Sequence, residues 1–396
     1  MKILHLTNYP LANPIHGGQI RCANIAGELR AAGHVVQSLA VYVESHYVPD
    51  SALDIPFGVT SEFWDYDLPY LTDYLTGLYA ERDPQAYAKL EAVVDDFAPN
   101  VIISEHPWLM PAAKKLASTR PGIRIVYSSH NVEFRLKEAI LLRGTLRAEL
   151  RDKLVQDIRE LEYYAVVDAD LVVACTDSDA LYYRTLSEDT IVVVGGNGVE
   201  PFSCPRSRVD QWRNFIGRPF PLFVSSAHPP NANGFWDMMM PGLTFLRPKE
   251  RLVIAGSVCE IILDMQGVRK YENFNRSRLD LLGRMNKTDL QALVSASHVM
   301  MLPITSGEGS NLKTAEALES GSAIVGTTMA FRGFEDAMSL PHVHIADDPT
   351  LFRRKVRELL DAPRFLGGTP PEVRKRYHWS ALLSDIVNEI GKWERA

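Results

Sequence analysis

The chain has 396 residues, more than one ordinary hydrophobic core accommodates, and this length predicts two domains of roughly 150–200 residues each. Its formal net charge of −7 argues against a protein that binds nucleic acid by neutralising phosphates. The four cysteines lie far apart and form no CxxC pair. They therefore indicate free thiols in a reducing compartment and exclude a cysteine-rich zinc site.

The N-terminal stretch "MKILHLTNYP" has one lysine followed by a short apolar run. It is too short to span a membrane and lacks the small-residue cleavage site of a signal peptide. We therefore expect a buried first strand and a cytoplasmic protein.

In the first half, short β-rich runs alternate with helical patterns, an order typical of parallel sheets built from βαβ units. The predicted strands are "KILHLT", "VVQSLAV", "NVIISE", "RIVYSS", "DLVVAC" and "TIVVV". A helix over 18–33 is predicted, because Ile20, Ile25 and Leu29 recur at helical spacing before Gly33. A long charged helix is predicted at roughly 141–166. Its mixed charges favour a solvated face, although contact with a membrane stays open.

The second half repeats this alternation, with predicted strands "PLFVSS", "RLVIAG", "LDLLG", "HVMMLP", "SAIVGT" and "HVHIA". Glycines and prolines in "GGNGVEPFSCPRSRV" predict an interdomain linker near 198–218. We therefore expect domains at 1–200 and 201–375, followed by an amphipathic helix within 376–396. Each half opens with a strand, a Pro/Asn-rich loop and a glycine at a helix start, which fits duplicated architecture and coincidence equally well. Two such doubly wound domains would direct their ligand loops toward a shared cleft.

Gly17 and Gly18 follow the first strand and open a helix, where backbone N–H groups can approach an anion. The spacing is not GxGxxG, and Glu44 comes too late in the second strand region to bind a dinucleotide ribose. A nicotinamide dinucleotide is therefore not expected. That the glycines serve only a tight turn stays an alternative.

The segment "SGEGSNLKTAEALESGSAIVGT" (306–327) predicts a loop, a helix and the next strand. Ser310 is the expected N-cap, which would leave the next N–H groups facing a diphosphate, and Lys313 would add a positive charge. Glu308 lies in the loop and Glu316 about one turn inside the helix, so their carboxylates could bind vicinal hydroxyls of a sugar and a ribose. The alternative is an amphipathic helix with solvated charges.

Three places carry histidines of interest. His130 in "SSHNVE" follows a strand end, where cleft residues belong, and His106 in "SEHPW" is similarly placed with weaker support. His342 and His344 alternate on a strand beside a turn, which does not favour a metal site. We expect no metal.

Glu308 and Glu316, separated by seven residues and followed by "AL-ESG-SAIVGT", resemble the Glu-x7-Glu motif of retaining glycosyltransferases with the GT-B fold, in glycosyltransferase family 4. "HGGQIR", "YSSHNVEFR", "FVSSAHPPNANG" and "LLGRMNKTDLQALVSASHVMMLP" agree in order. The resemblance implies two facing Rossmann-like doubly wound domains: an acceptor-side domain, a nucleotide-sugar domain, and a C-terminal helix containing Trp379 that crosses back onto the N-domain.

The resemblance also implies residue roles. Glu316 would bind the ribose hydroxyls of the nucleotide, while Glu308 and His130 would lie near the transferring sugar as the catalytic residues. The other donor-binding residues would be Gly17, Gly18, Arg284, Met285, Gly309, Ser310, Asn311, Leu312 and Lys313.

One segment departs from the family pattern. Many members carry an arginine and a lysine after the first strand of the C-domain, where they neutralise the leaving diphosphate. Here that segment is "SSAHPPNANGFW", in which His228 is the only candidate. Lys313, in the later helix, is the better one.

The activity implied is transfer of a sugar, with retention, from a UDP-, GDP- or dTDP-sugar to a glycan, lipid-linked or small-molecule acceptor, in bacterial surface glycan or glycoconjugate synthesis. Neither a cofactor nor an obligatory metal is expected, and peripheral contact with the inner face of the membrane stays open. Alternatives are a nucleotide-sugar epimerase or hydrolase of the same fold, and a non-catalytic subunit that binds a glycan or a partner enzyme.

Overall fold

A computed structural model describes residues 1–49, 51–68, 70–307 and 309–394. Glu308 therefore lies outside the described residues. The strands within them are β1 (Lys2–Thr7), β2 (Val35–Val43), β3 (Ile55–Phe57), β4 (Val101–Glu105), β5 (Arg124–Ser128), β6 (Leu171–Ala174), β7 (Ile191–Val194), β8 (Pro221–Val224), β9 (Leu252–Ala255), β10 (Leu279–Gly283), β11 (Val299–Leu302), β12 (Ala323–Gly326) and β13 (Val343–Ile345).

The helices, in chain order, are α1 (Gly17–Ala31), α2 (Thr72–Arg82), α3 (Pro84–Phe97), α4 (Met110–Ser118), α5 (Glu133–Leu141), α6 (Ala148–Val167), α7 (Asp177–Leu186), α8 (Arg206–Ile216), α9 (Pro229–Met239), α10 (Gln266–Arg269), α11 (Glu272–Ser277), α12 (Lys287–Ala296), α13 (Leu312–Ser320), α14 (Pro349–Asp361), α15 (Pro371–Arg376), α16 (Trp379–Leu382) and α17 (Ser384–Trp393). Short 3-10 helices cover Ser257–Glu260, Thr328–Phe331 and Glu335–Ser339.

The first compact unit comprises Met1–Gly196 together with Leu382–Ala396. Its seven-stranded sheet has the order β3-β2-β1-β4-β5-β6-β7, and every pairing is parallel. The central strands β1, β4 and β6 are buried except at Lys2, and most of their side chains are apolar, as expected when helices cover both faces of a parallel sheet. Helix α17 contacts β7 within this unit, and the Arg124 guanidinium lies 4.8 Å from the centre of the Trp393 ring.

The second unit comprises Asn197–Ala381. Its six-stranded sheet has the order β10-β9-β8-β11-β12-β13, again with parallel pairing throughout. In each sheet the order in which successive strands are added reverses once. The reversal lies between β1 and β4 in the first sheet and between β8 and β11 in the second. In open parallel sheets the ends of the strands at such a reversal are where ligands bind.

The doubly wound α/β fold expected from the sequence is confirmed. The edge strand β3 was missed because its three residues carry no readable alternation. The predicted helix at 141–166 is wrong at its start: α5 ends at Leu141, and the charged helix α6 begins only at Ala148.

The interdomain linker predicted near 198–218 is also wrong. Most of that segment is helix α8, which packs against α12 within the second unit. The chain passes from one compact unit to the other after Gly196 and again before Leu382; the domain bounds at 200 and 375 stay predictions. Gly198 permits this compact path, since a Cβ there would lie 2.8 Å from the backbone nitrogen of Trp379.

Candidate active site

His130 follows β5 in the first unit and belongs to a buried hydrogen-bonded row. Its Nε2 lies 2.8 Å from Oε2 of Glu105, the last residue of β4, and the other carboxylate oxygen of Glu105 lies 2.6 Å from Nε2 of His5 in β1. His5 and Glu105 are fully buried, and His130 is 8% exposed. The three neighbouring strands β1, β4 and β5 therefore place these side chains together at the reversal of the sheet.

The protonation states in this row follow from burial and hydrogen bonding. Burial alone would raise the pKa of Glu105, but the hydrogen bonds from His130 and His5 hold that pKa well below its usual range. Burial, with the adjacent His106, lowers the pKa of His130 to about 3. His130 is therefore neutral at pH 7, and with Nε2 engaged by Glu105 its Nδ1 is the nitrogen that can face a substrate.

His106, whose support from sequence was weaker, belongs to a second row beside the first. Its Nε2 lies 3.0 Å from the hydroxyl of Tyr9, its Nδ1 lies 2.9 Å from Glu133, and its ring centre lies 3.9 Å from that of His130. His106 has φ of 64°, a left-handed conformation that is uncommon outside glycine and often marks functional sites.

Sequence reasoning missed Tyr9, Glu105 and Glu133. Their partners lie 97, 25 and 27 positions away in the chain, so no local spacing could reveal the pairings. The available signal was that Tyr9 lies two residues after β1, Glu105 ends β4 and Glu133 begins the helix after β5.

One group among the described residues has the composition of a metal site. Ligand atoms of His5, Cys22 and Glu105 lie within 4.8 Å of one another. The hydrogen bond between His5 and Glu105 already accounts for the approach of two of them. In the second unit, His342, which the sequence did not favour as a metal ligand, lies 2.9 Å from the hydroxyl of Thr369 through its Nε2. The expectation that no metal takes part stays a prediction.

Gly17 and Gly18 form the first turn of α1, whose N-cap is His16. A Cβ on Gly18 would lie 2.4 Å from the hydroxyl oxygen of Tyr9. Close approach of Tyr9 is thus one physical reason for glycine at position 18. A role for either glycine toward a diphosphate stays a prediction.

The second unit carries its candidate residues on α13, at the carboxyl end of β11. The predicted N-cap is wrong: the cap is Asn311, whose side-chain oxygen accepts a hydrogen bond from the Lys313 N–H at 3.0 Å. Ser310 instead binds Asn197, accepting from the Asn197 N–H and amide at 3.1 and 3.0 Å. Because the Lys313 N–H already donates to Asn311, it is not available to a ligand. What α13 can offer an anion is the positive end of its dipole and the Lys313 side chain.

Lys313 and Glu316 are half-buried on α13, and Leu312 is its first residue. Burial lowers the pKa of Lys313 and raises the pKa of Glu316, and the attraction between the two opposes both shifts. Two charged groups at a helix start that are only partly solvated favour a ligand able to bind both.

Arg284 and Met285 follow β10 at the same edge of the sheet. Arg284 is exposed and donates to Glu260, with Nε–Oε1 at 2.8 Å. Met285 is partly buried against the core of the unit. His228 is exposed directly before α9.

The loop from Pro303 to Asn311 contains Gly309, which is buried, and leads into α13. Glu308, the predicted catalytic residue in this loop, lies outside the described residues. The Arg332 guanidinium donates to the carbonyl oxygens of Gly307 and Gly309 at 2.6 and 2.5 Å. Beside the loop is a cavity of about 540 Å³ that is lined by Ile304, Thr305, Thr327, Thr328, Met329, Arg332, Glu335 and Asp347.

Comparison with known proteins identifies the family and the fold. Residues 16–197 match the family described as glycosyl transferase 4-like domain, and residues 219–362 match glycosyl transferases group 1. The chain belongs to the GT-B glycosyltransferases. Sucrose-phosphate synthase from Thermosynechococcus elongatus has a similar structure, with a TM-score of 0.72 and 14% identity over 100% of this chain and 98% of that one.

Two further solved structures resemble this glycosyltransferase. HepE from Anabaena in complex with UDP-glucose has a TM-score of 0.64 and 14% identity over 99% of this chain and 100% of that one. WaaG, a glycosyltransferase involved in lipopolysaccharide biosynthesis, has a TM-score of 0.61 and 14% identity over 98% of this chain and 95% of that one. The predicted GT-B fold is thereby confirmed.

No curated protein matches the chain in sequence. Among the described residues, none of the helices combines the length and the apolar character that a membrane span requires.

Proposed function

We propose that this glycosyltransferase moves a sugar from a nucleoside-diphosphate sugar to an acceptor hydroxyl, with retention of the anomeric configuration and without an obligatory divalent cation. The observation that carries the proposal is the placement of Lys313 and Glu316, both half-buried and close enough to influence each other's pKa, at the start of α13. This helix follows β11, one of the two strands at the reversal of the second sheet, where phosphorylated ligands bind in folds of this type.

The diphosphate leaves with additional negative charge, and the protein must stabilise that charge as it develops. Lys313 supplies a full positive charge, and the start of α13 adds the partial positive charge of a helix N-terminus. An anion beside Lys313 also favours its charged form, against the effect of burial. Glu316 would accept hydrogen bonds from the ribose hydroxyls.

In the first unit, neutral His130 would accept a hydrogen bond from a sugar hydroxyl through Nδ1. Glu105 fixes the ring by holding Nε2. His130 then orients the transferring sugar but supplies no proton at pH 7, because its pKa is about 3. Glu308 would lie near the anomeric carbon; we assign no enzyme nucleophile.

HepE was solved with UDP-glucose, which supports UDP-sugars as the first donors to test. WaaG takes part in lipopolysaccharide biosynthesis, which supports a role in bacterial surface glycan or glycoconjugate synthesis. We propose a glycan, lipid-linked or small-molecule acceptor, with peripheral contact at the inner face of the membrane for a lipid-linked one.

The test is a thermal-shift screen of UDP-, GDP- and dTDP-sugars in EDTA, followed by NMR of the product formed with a glycan or lipid-linked acceptor. We expect one nucleotide class to stabilise the protein and the product to keep the donor's anomeric configuration. Donor consumed equally without acceptor would identify a hydrolase or epimerase, and an inverted product would contradict retention.

A further inference from the structure

Arg332 makes contacts in the second unit that none of the assigned roles explains. It follows the 3-10 helix Thr328–Phe331, and its neighbours in that segment, Phe331 and Phe334, are 0% and 1% exposed. Buried aromatic side chains on both sides fix the backbone from which the half-buried Arg332 side chain extends.

The guanidinium of Arg332 bridges the two glycines that precede and follow Glu308 in the sequence. Nη1 donates to the Gly307 carbonyl at 2.6 Å and Nε donates to the Gly309 carbonyl at 2.5 Å. A further contact, at 3.2 Å, joins Nη1 to the Met329 thioether. A planar fork with two donors suits two carbonyl acceptors, which a lysine could not bridge in the same way.

The two glycines need such external support. Gly307 has φ of 127° and Gly309 has φ of 65°, conformations that glycine adopts readily but at the largest cost in backbone entropy. A loop of this kind does not hold one conformation by local preference. Hydrogen bonds from a fixed side chain must select it.

The rest of the loop is held at other points. The Thr327 hydroxyl donates to the Ile304 carbonyl at 2.5 Å, and Ser310 is bound by Asn197 at 3.0 and 3.1 Å. Between these anchors, Arg332 alone among the described residues provides side-chain hydrogen bonds to Gly307 and Gly309.

We propose that Arg332 is the positioning residue for the sugar-binding part of the donor site, acting through the backbone carbonyls of Gly307 and Gly309. The inference rests on the proposed function, because the loop is expected to contact the donor sugar while α13 contacts the nucleotide. Arg332 therefore governs recognition of the sugar and not of the nucleoside diphosphate.

The experiment compares wild type, Arg332→Gln and Arg332→Lys by calorimetric titration with the nucleoside diphosphate and with its sugar, and by steady-state kinetics. We expect both variants to bind the nucleoside diphosphate as wild type does. We expect kcat/KM for the sugar donor to fall about 10-fold or more, since hydrogen bonds from a charged donor are among the strong ones. Arg354→Gln, on the exposed face of α14, is the matched control.

Equal loss of affinity for the nucleoside diphosphate and its sugar would overturn the inference, as would full activity of Arg332→Lys. Thermal unfolding of each variant shows whether the fold is kept, and the ratio of the two affinities is insensitive to a partly unfolded fraction. Failure of wild type to bind either ligand would instead refute the proposed function.

Discussion

The two units share one strand order, apart from the additional strand β7 in the first, and they differ in the residues that they place at the reversal of the sheet. In the first unit, side chains from β1, β4 and the segment after β5 are buried and bonded to one another, as in the row His5–Glu105–His130. In the second, half-buried Lys313 and Glu316 lie on one helix, after a loop held by Arg332. The first arrangement fixes protonation states in advance; the second leaves charges available to a ligand.

We expect the loss of a ligand-facing charge in the second unit to have the largest effect on activity. Charge-assisted hydrogen bonds are worth about 1.5–3 kcal/mol each. Glu316→Ala would remove the two bonds that we propose to the ribose hydroxyls, so it should lower kcat/KM by at least about 100-fold. Glu358→Gln on α14, where the side chain is half exposed, should keep wild-type kinetics. Near-wild-type turnover of Glu316→Ala in a transfer assay would contradict the proposed role of Glu316 in binding the donor.

In the first unit, we expect the buried titratable groups to make the stability of the fold depend on pH. The pKa of His130 is about 3 in the folded protein, below its ordinary value, so at intermediate pH the unfolded chain binds a proton that the folded chain does not. Stability then rises with pH, and the contribution of His130 to this dependence should be about 2 kcal/mol between pH 7 and pH 5. The bonded Glu105 adds stability above its ordinary pKa that is lost as pH falls through its lowered folded-state pKa.

Urea unfolding at pH 7, 6 and 5 measures this dependence. His130→Gln should flatten it, whereas His46→Gln, at an exposed histidine, should leave it unchanged. If the slopes of wild type and His130→Gln coincide, the buried row does not set the acid sensitivity.

Two glycines of α1 differ in the space around them. A Cβ on Gly18 would meet the Tyr9 hydroxyl, while a Cβ on Gly27 would meet nothing within 4 Å. Gly18→Ala should therefore cost about 1–3 kcal/mol through overpacking and weaken the bond between Tyr9 and His106. Gly27→Ala should stabilise by roughly 0.5–1 kcal/mol, since alanine is the better helix former. Chemical unfolding of both variants measures the change in the free energy of unfolding. Equal changes in the two variants would show that the Tyr9 side chain moves aside without cost.

The smallest effect concerns the cap of α13. Asn311→Ala should cost about 1 kcal/mol, because the bond to the Lys313 N–H is lost, and Asn311→Gly only a few tenths. Ser310→Ala should leave the helix cap intact, since Ser310 binds Asn197. Thermal unfolding of the three variants checks the order, and a larger loss for Ser310→Ala would restore the cap expected from the sequence.

Prediction from the sequence succeeded where the elements and residues concerned are adjacent in the chain. The strands adjoining the reversals, such as β1 and β11, are short apolar runs with clear bounds, and the elements of 306–327 follow one another, so loop, helix and strand could be predicted. The N-cap was misassigned by one residue because serine and asparagine cap equally well and only tertiary contact with Asn197 separates them. The partners of His130 and His106 come together by strand order, which no local pattern encodes.

We propose above that α13 binds a nucleoside diphosphate through Glu316 and Lys313 without a metal. Calorimetric titration in EDTA tests it, with UDP or whichever nucleoside diphosphate stabilises the wild type most. We predict that wild type and Glu358→Gln bind alike, while the dissociation constants of Glu316→Gln and Lys313→Met rise at least about 10-fold, in line with loss of a charge-assisted contact. Unchanged affinity in both α13 variants, or binding that requires an added divalent cation, would contradict the account.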